Sequence, residues 1–238
     1  MLPSNEFINE LELLGSFTEL NIVISKIAEV AIYLSDIISR GDTEDALGGL
    51  TGTNSDGDSQ TSLDMIADKA YCEMLKKSFV KYYASEERDE VLQLNEDGIL
   101  SVAIDPLDGS SNIDTNSSIG SIFSIRKFES ISINKIYSKN DQFLMPGYEQ
   151  IAAGYIIFGP QTILVVSTGS GVLQFVLNRL LGKFFIKKNN LIIPNDTQEY
   201  GINASNVRHW SKPMKRYIED CNAGETGPRG SNFNMRWV

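Results

Sequence analysis

The chain is poor in the residues that build thiolate and imidazole chemistry. Its 238 residues hold two cysteines and one histidine. Cys72 and Cys221 stand far apart and outside any CxxC pair, which excludes a disulfide framework and fits a reducing compartment. A single imidazole, His209, cannot ligate zinc in the way a multi-histidine site does, and this residue reads as structural. Positive charge is scarce as well: 21 Lys and Arg face 31 Asp and Glu, for a formal net charge of −10. A field of that sign repels nucleic acid and anionic membranes, so neither is expected as a partner. No apolar run approaches the length of a membrane span. Residues 1–15 carry acidic but no basic side chains, which suits neither a secretory signal nor a transit peptide. The expectation is a soluble, cytoplasmic protein.

What the chain does have is ordinary globular usage, 42% hydrophobic and 22% charged, at a length for one large domain or two small ones. Apolar residues recur with helical period over 22–38, and Gly41 stands where a C-terminal cap belongs. The stretch 42–60 is rich in Gly, Asp, Thr and Ser and reads as a long loop. A second helix is expected over about 62–79, burying Met65, Ala67, Ala70, Tyr71, Met74 and Leu75. Short strands follow at 82–84, 100–104 and 122–125. The runs 151–158, 161–168 and 172–177, joined by Gly-Pro and Gly-Ser-Gly turns, predict an antiparallel meander. That Gly-Ser-Gly lacks the Lys-Ser/Thr of a phosphate-binding P-loop and reads as a plain turn. A helix over 213–221, with proline in its first turn, lies in a segment of changed character that begins near Pro194. Helices first and strands after predict an α+β layered fold, helices packed on mixed or antiparallel sheets.

The most informative segment is Asp105-Pro106-Leu107-Asp108-Gly109-Ser110-Ser111-Asn112, directly after the apolar run 99–104. Pro106 has no amide proton, so the strand is expected to stop there. Gly109 lets a ligand approach the main chain, and Ser110 and Ser111 add hydroxyls and backbone N–H groups. Carboxylates for a hard cation beside donors for an anion describe a metal-assisted phosphate site. Four more acidic residues sit at expected element ends or in loops: Asp58, Asp64, Glu86 and Glu87. Each is unremarkable alone. Together with Asp105 and Asp108 they make a cluster that needs cations, which predicts magnesium-type oxygen coordination. The same negative field would repel a sugar bisphosphate unless bound cations bridged it to the site.

These segments resemble the class 1 fructose-1,6-bisphosphatases. Asp105 to Asp114 reads Asp-Pro-Leu-Asp-Gly-Ser-Ser-Asn-Ile-Asp, the family's metal-and-phosphate signature; a shorter form runs through the wider inositol-phosphatase superfamily. Ser85-Glu86-Glu87, Leu63-Asp64 and Asp58 match further family positions, as do Asn203 and Arg236 near the end. The resemblance implies a sugar-phosphatase fold and hydrolysis of the 1-phosphate of fructose 1,6-bisphosphate by metal-activated water. Magnesium is the implied cofactor, with manganese possible. It implies that Glu86, Asp105, the Leu107 carbonyl and Asp108 ligate the metal, with Glu87 beside them. Asp108, Gly109, Ser110 and Ser111 would hold the 1-phosphate. Asp64 would activate the attacking water with help from Asp58. Asn203 would contact the distal phosphate, and Arg236 would reach that of a neighbouring subunit. The implied pathway is gluconeogenesis or the reductive pentose phosphate cycle, and the implied assembly a homotetramer.

On this reading residues 9–194 form the metal- and phosphate-binding domain, and 195–238 begin a second domain that stays incomplete. Family members continue past this point, so weak sugar selectivity, a weakened metal position and thinly covered apolar residues at Ile192, Ile193, Tyr217 and Trp237 are expected. Asp68 stands where an Asn is usual, and Asn206 and Trp237 where Tyr is common. Two alternatives stay open: another superfamily phosphatase, acting on inositol monophosphate or sedoheptulose bisphosphate, and a non-catalytic remnant.

Overall fold

The computed structural model describes residues 7, 11–12, 16–41, 50–53, 59–128, 131–132, 135–136 and 138–236. They fall into two compact units, Met1–Leu191 and Ile192–Val238.

Helix α1, Thr18–Arg40, exceeds its expected length by a few residues at each end. It buries Leu20, Val23, Ile24, Ile27, Ala31 and Leu34 along one side, and Gly41 closes it at a φ of 67°. The expected loop over 42–60 is instead partly strand: β1 (Leu50–Thr53) pairs antiparallel with β2 (Ser59–Thr61), with a register shift between Leu50 and Gly52. Strands of three or four residues carry too few alternations to show as a period in a polar sequence. Residues 42–49 and 54–58, Asp58 among them, lie outside the described residues.

Helix α2, Ser62–Leu75, ends four residues before its expected limit. The Ser78 N–H and hydroxyl both bond the Leu75 carbonyl, at 3.0 and 2.6 Å, and turn the chain toward the sheet. The buried side also differs from expectation. It holds Leu63, Asp64, Ala67, Asp68, Tyr71, Cys72 and Leu75, while Met65 is 44% exposed. Two carboxylates thus occupy an inward face that an apolar pattern alone would have assigned to methionine.

The remaining strands of this unit are β3 (Val80–Ser85), β4 (Leu92–Gln93), β5 (Leu100–Asp108), β6 (Ile119–Lys127), β7 (Ile131–Ser132), β8 (Lys135–Ile136), β9 (Ala152–Phe158), β10 (Thr162–Ser167), β11 (Val172–Asn178) and β12 (Lys183–Asn189). Strands β7 and β8 pair with each other. The others join in one mixed sheet of order β12-β11-β10-β9-β6-β5-β3-β4, parallel at β3–β5 and antiparallel elsewhere. The predicted meander is β9 to β11, and β12, absent from the expectation, extends it. Alternation is regular in the middle of the sheet: Ile119, Ser121, Phe123 and Ile125 of β6 are buried, as are Ala152, Ile156 and Phe158 of β9. They share one hydrophobic core with the apolar faces of α1 and α2. A buried bond between Ser35 and Thr162 hydroxyls, 2.8 Å long, ties α1 to β10.

Strand β5 does not stop at Pro106 as expected; it continues to Asp108. The pairing with β6 jumps from Asp105↔Ile122 to Asp108↔Gly120, a bulge. At the bulge the ladder is already interrupted, so a residue without an N–H does no harm there.

In the second unit β13 (Glu199–Tyr200) pairs parallel with β14 (Asn234–Met235). Helix α3, Lys212–Asn222, has proline in its first turn as expected. Ile192 and Ile193 are exposed, and the Arg229 guanidinium lies over the Tyr217 ring at 4.4 Å; Trp237 lies outside the described residues. Among the described residues no helix is long and apolar enough to cross a membrane.

Candidate active site

The bulge in β5 leaves Pro106 and Leu107 out of the ladder, between the paired Asp105 and Asp108. Asp105 folds back on its own main chain, its Oδ1 accepting the Leu107 N–H at 3.0 Å across Pro106. Gly109 follows in the left-handed region at a φ of 77°, a conformation that favours glycine. Ser110–Asn112 then form one 3₁₀ turn, closed by the Asn112 N–H on the Gly109 carbonyl at 2.8 Å. Ser110 is half-buried and Ser111 exposed, so both hydroxyls lie near solvent. Strand β2 lies against this turn.

Glu86 is brought to Asp105 by the parallel pairing of β3 with β5. Its N–H bonds the Ile104 carbonyl at 3.1 Å, so the turn after β3 is fixed directly beside Asp105. The consequence is electrostatic. Partial burial, then the hydrogen bond with Glu86 and the charges of Glu86 and Asp108, push the Asp105 carboxyl up to about 8; the Leu107 N–H opposes this. Glu87 follows on the same turn, its N–H bonded to the Ser85 hydroxyl at 3.2 Å. Asp64 is buried in the first turn of α2, which packs on β5.

Among the described residues no three His, Cys, Asp or Glu side chains close on one point as a metal cage. The donor set nevertheless suits a hard divalent cation. Glu86, Asp105, Asp108 and the Leu107 carbonyl offer oxygen only, and the crowding of Asp105 by Glu86 and Asp108 marks where positive charge is wanted.

Several supporting residues carry no motif. The Tyr71 hydroxyl of α2 donates to Ser121 Oγ at 3.0 Å, and Ser121 Oγ donates to the Pro106 carbonyl at 2.8 Å, so α2 and β6 hold the signature turn from within the core. Burial raises the Tyr71 hydroxyl pKa well beyond its ordinary value, so this link stays protonated. Asp68 accepts from the Tyr83 hydroxyl at 3.0 Å and pairs with Arg88 at 2.5 Å. The sequence signal for both was a polar residue on a helix face facing the sheet.

The two candidates for the distal phosphate lie in the second unit. Asn203 caps the short helix Ala204–His209, its Oδ1 accepting the Ser205 N–H at 3.0 Å. The Arg236 guanidinium pairs with Glu199 at 2.5 Å. His209 is exposed and accepts from Arg208 Nε at 3.0 Å.

The family model for the N-terminal domain of fructose-1,6-bisphosphatase matches residues 5–189. A class 1 fructose-1,6-bisphosphatase of Bradyrhizobium sp. is 48% identical over 219 residues, 92% of this chain and 62% of that protein. One from Cereibacter sphaeroides is 49% identical over 220 residues, 92% of this chain and 64% of that protein. The crystal structure of Leishmania major fructose-1,6-bisphosphatase in holo form superposes with a TM-score of 0.84 at 27% identity, over 96% of this chain and 71% of that one. The chain therefore spans a little under two thirds of the length of these bacterial relatives. Matched by that family model over 5–189, with bacterial relatives at 48–49% identity and a superposable solved structure, the chain belongs to the fructose-1,6-bisphosphatase family.

Proposed function

We propose that this chain carries the catalytic domain of a divalent-metal-dependent phosphomonoesterase that converts fructose 1,6-bisphosphate to fructose 6-phosphate and phosphate. The observation that carries the reading is the Glu86–Asp105 pair set against the Gly109-Ser110-Ser111 turn, which puts cation donors and phosphate donors side by side.

Glu86, Asp105, Asp108 and the Leu107 carbonyl are the groups that hold the cation, magnesium by oxygen preference with manganese as a substitute. A bound cation neutralises phosphoryl oxygens and acidifies water. The chain's own residues do the rest. Gly109 leaves room for the phosphate at the main chain, and the Ser110 and Ser111 hydroxyls and amides orient it. Asp64 takes the proton of the water that attacks phosphorus, with Asp58 assisting, while the bond from phosphorus to the sugar oxygen breaks and that oxygen leaves as the sugar's hydroxyl, its proton returned through solvent. Asn203 and Arg236 receive the distal phosphate, Arg236 across a subunit boundary in a homotetramer.

The test is phosphate release from fructose 1,6-bisphosphate, with magnesium and after chelation, beside Asp105→Asn. Release should need magnesium and fall at least 100-fold in the variant. Release that survives chelation or the substitution overturns the reading, and preference for inositol monophosphate reassigns the substrate.

A further inference from the structure

We infer that Asp68, Arg88 and Tyr83 are positioning residues: a buried clamp that sets the Glu86–Glu87 turn against Asp105 and so tunes the affinity of the carboxylate site for a divalent cation. The inference rests on the metal-site reading above and names residues outside its ligand set.

The side chain of Asp68 is 2% exposed, and each of its oxygens has a partner. Oδ1 accepts the Tyr83 hydroxyl at 3.0 Å, and Oδ2 meets the Arg88 guanidinium at 2.5 Å. Arg88 Nε is buried and has no acceptor among the described residues, and the guanidinium is held to Asp68 through Nη2 instead. Burial works against the Arg88 charge, yet the hydrogen bond and charge of Asp68 raise its pKa above the ordinary value. Burial and the Asp68 charge also raise the Tyr83 hydroxyl well above its usual pKa, so it remains a donor.

The clamp's place in the chain gives it leverage. Arg88 is two residues after Glu86 and next to Glu87. The turn that carries them is fixed to β5 by the Glu86 N–H on Ile104, and it closes on itself by the Arg88 N–H on the Ser85 carbonyl at 3.2 Å. Its third attachment is Arg88 to Asp68 on α2. Asp68 lies one helical turn after Asp64, on the same buried face. One helix therefore carries both the candidate base and the anchor for the candidate ligand turn, at a separation set by helix geometry. The problem it solves is repulsion. Glu86 and Asp105 are acidic side chains crowded together, and a turn held to α2 keeps Glu86 from moving away. The Asp68–Arg88 pair resists this without adding net charge that would compete with a cation. Removing the Asp68 charge would free Arg88 to pair with Glu86 or Glu87 and displace the cation. Losing a group that holds a metal ligand in place costs about 10- to 100-fold in metal affinity.

The experiment is Mn²⁺ binding to the whole chain, followed by loss of the free Mn²⁺ electron-spin signal, for wild type, Asp68→Asn, Tyr83→Phe and Asp68→Asn/Arg88→Gln. Melting temperatures without metal are measured alongside. Asp68→Asn should weaken Mn²⁺ about tenfold or more, beyond what any loss of folded protein explains. The double variant, which removes the tether but leaves no free Arg88 to compete, should stay weakened, though less than Asp68→Asn; full recovery to wild-type affinity would overturn the clamp. Tyr83→Phe, which keeps the ion pair, should weaken binding a few-fold and keeps the test open if Asp68→Asn fails to fold. Wild-type affinity in the folded single variants, or a melting-temperature drop with unchanged affinity, overturns the clamp. Mn²⁺ binding by wild type without phosphate release sinks the phosphatase reading and leaves the clamp standing. No Mn²⁺ binding by wild type sinks both.

Discussion

Asp105 is the residue at which function and stability pull apart. A half-buried carboxylate is pressed against Glu86 and Asp108, and its raised pKa shows the folded chain resisting its charge. Asp105→Asn removes that repulsion and keeps an acceptor for the Leu107 N–H. Discounted for solvent screening, the gain is about 1 kcal/mol, so the metal-free chain should melt about 2–4 °C higher. Differential scanning calorimetry in chelator checks the sign; a lower melting temperature refutes it. Cys72 makes the opposite case. Burial above all raises its thiol pKa, and Cys221 is buried too. Neither should react with Ellman's reagent over minutes in the native chain, and both should react in guanidinium. At this scale the sequence was legible where chemistry is local. Asp105, Gly109 and Ser110 are recognised by their order along the chain. Asp68 and Ser121 were not, because their partners are 20 and 15 residues away, and Tyr71 bonds a residue 50 positions on.

At the scale of elements, α1 and the β9–β11 meander were readable because long periodic segments average out local exceptions. The errors fall where an exception is the point. Strand β5 passes through Pro106 because a bulge absorbs it. Helix α2 turns Asp64 and Asp68 inward, where Asp68 meets the Tyr83 hydroxyl and Arg88, which an apolar period does not foresee. The sheet also depends on close backbone approaches, Gly154 among them. A Cβ at Gly154 would stand 2.6 Å from both the Val165 carbonyl oxygen and the Phe123 ring. Gly154→Ala should therefore cost about 1–3 kcal/mol, or roughly 3–10 °C in melting temperature. A melting temperature within a degree of wild type would show that β9 and β10 slide apart freely, contrary to their six-residue ladder.

Over the whole molecule, the sheet face turned away from the core is unusually apolar at its centre. Ile122, Tyr155 and Ile157 are each more than 40% exposed. Ile122 and Tyr155 are direct cross-strand neighbours, and Ile157 lies two residues further on the same face of β9. Contiguous exposed side chains of this kind drive association. The chain should self-associate as its concentration rises in sedimentation velocity, and Ile157→Lys should shift that onset several-fold upward. A monomer at all concentrations for both proteins would mean that the patch is too small to matter.

The amino-acid sequence by itself determined the chemistry on offer: oxygen ligands in place of thiolate or imidazole, a negative field, and a signature turn whose order is its own geometry. It also determined the layered fold, because hydrophobic period is written residue by residue. Only the tertiary structure decided which charges meet. Glu86 reaches Asp105 because β3 pairs in parallel with β5, and Asp68 reaches Arg88 because α2 packs beneath the turn that follows β3. Electrostatic energy depends on distance in space, and distance along the chain is silent about it until the sheet has closed.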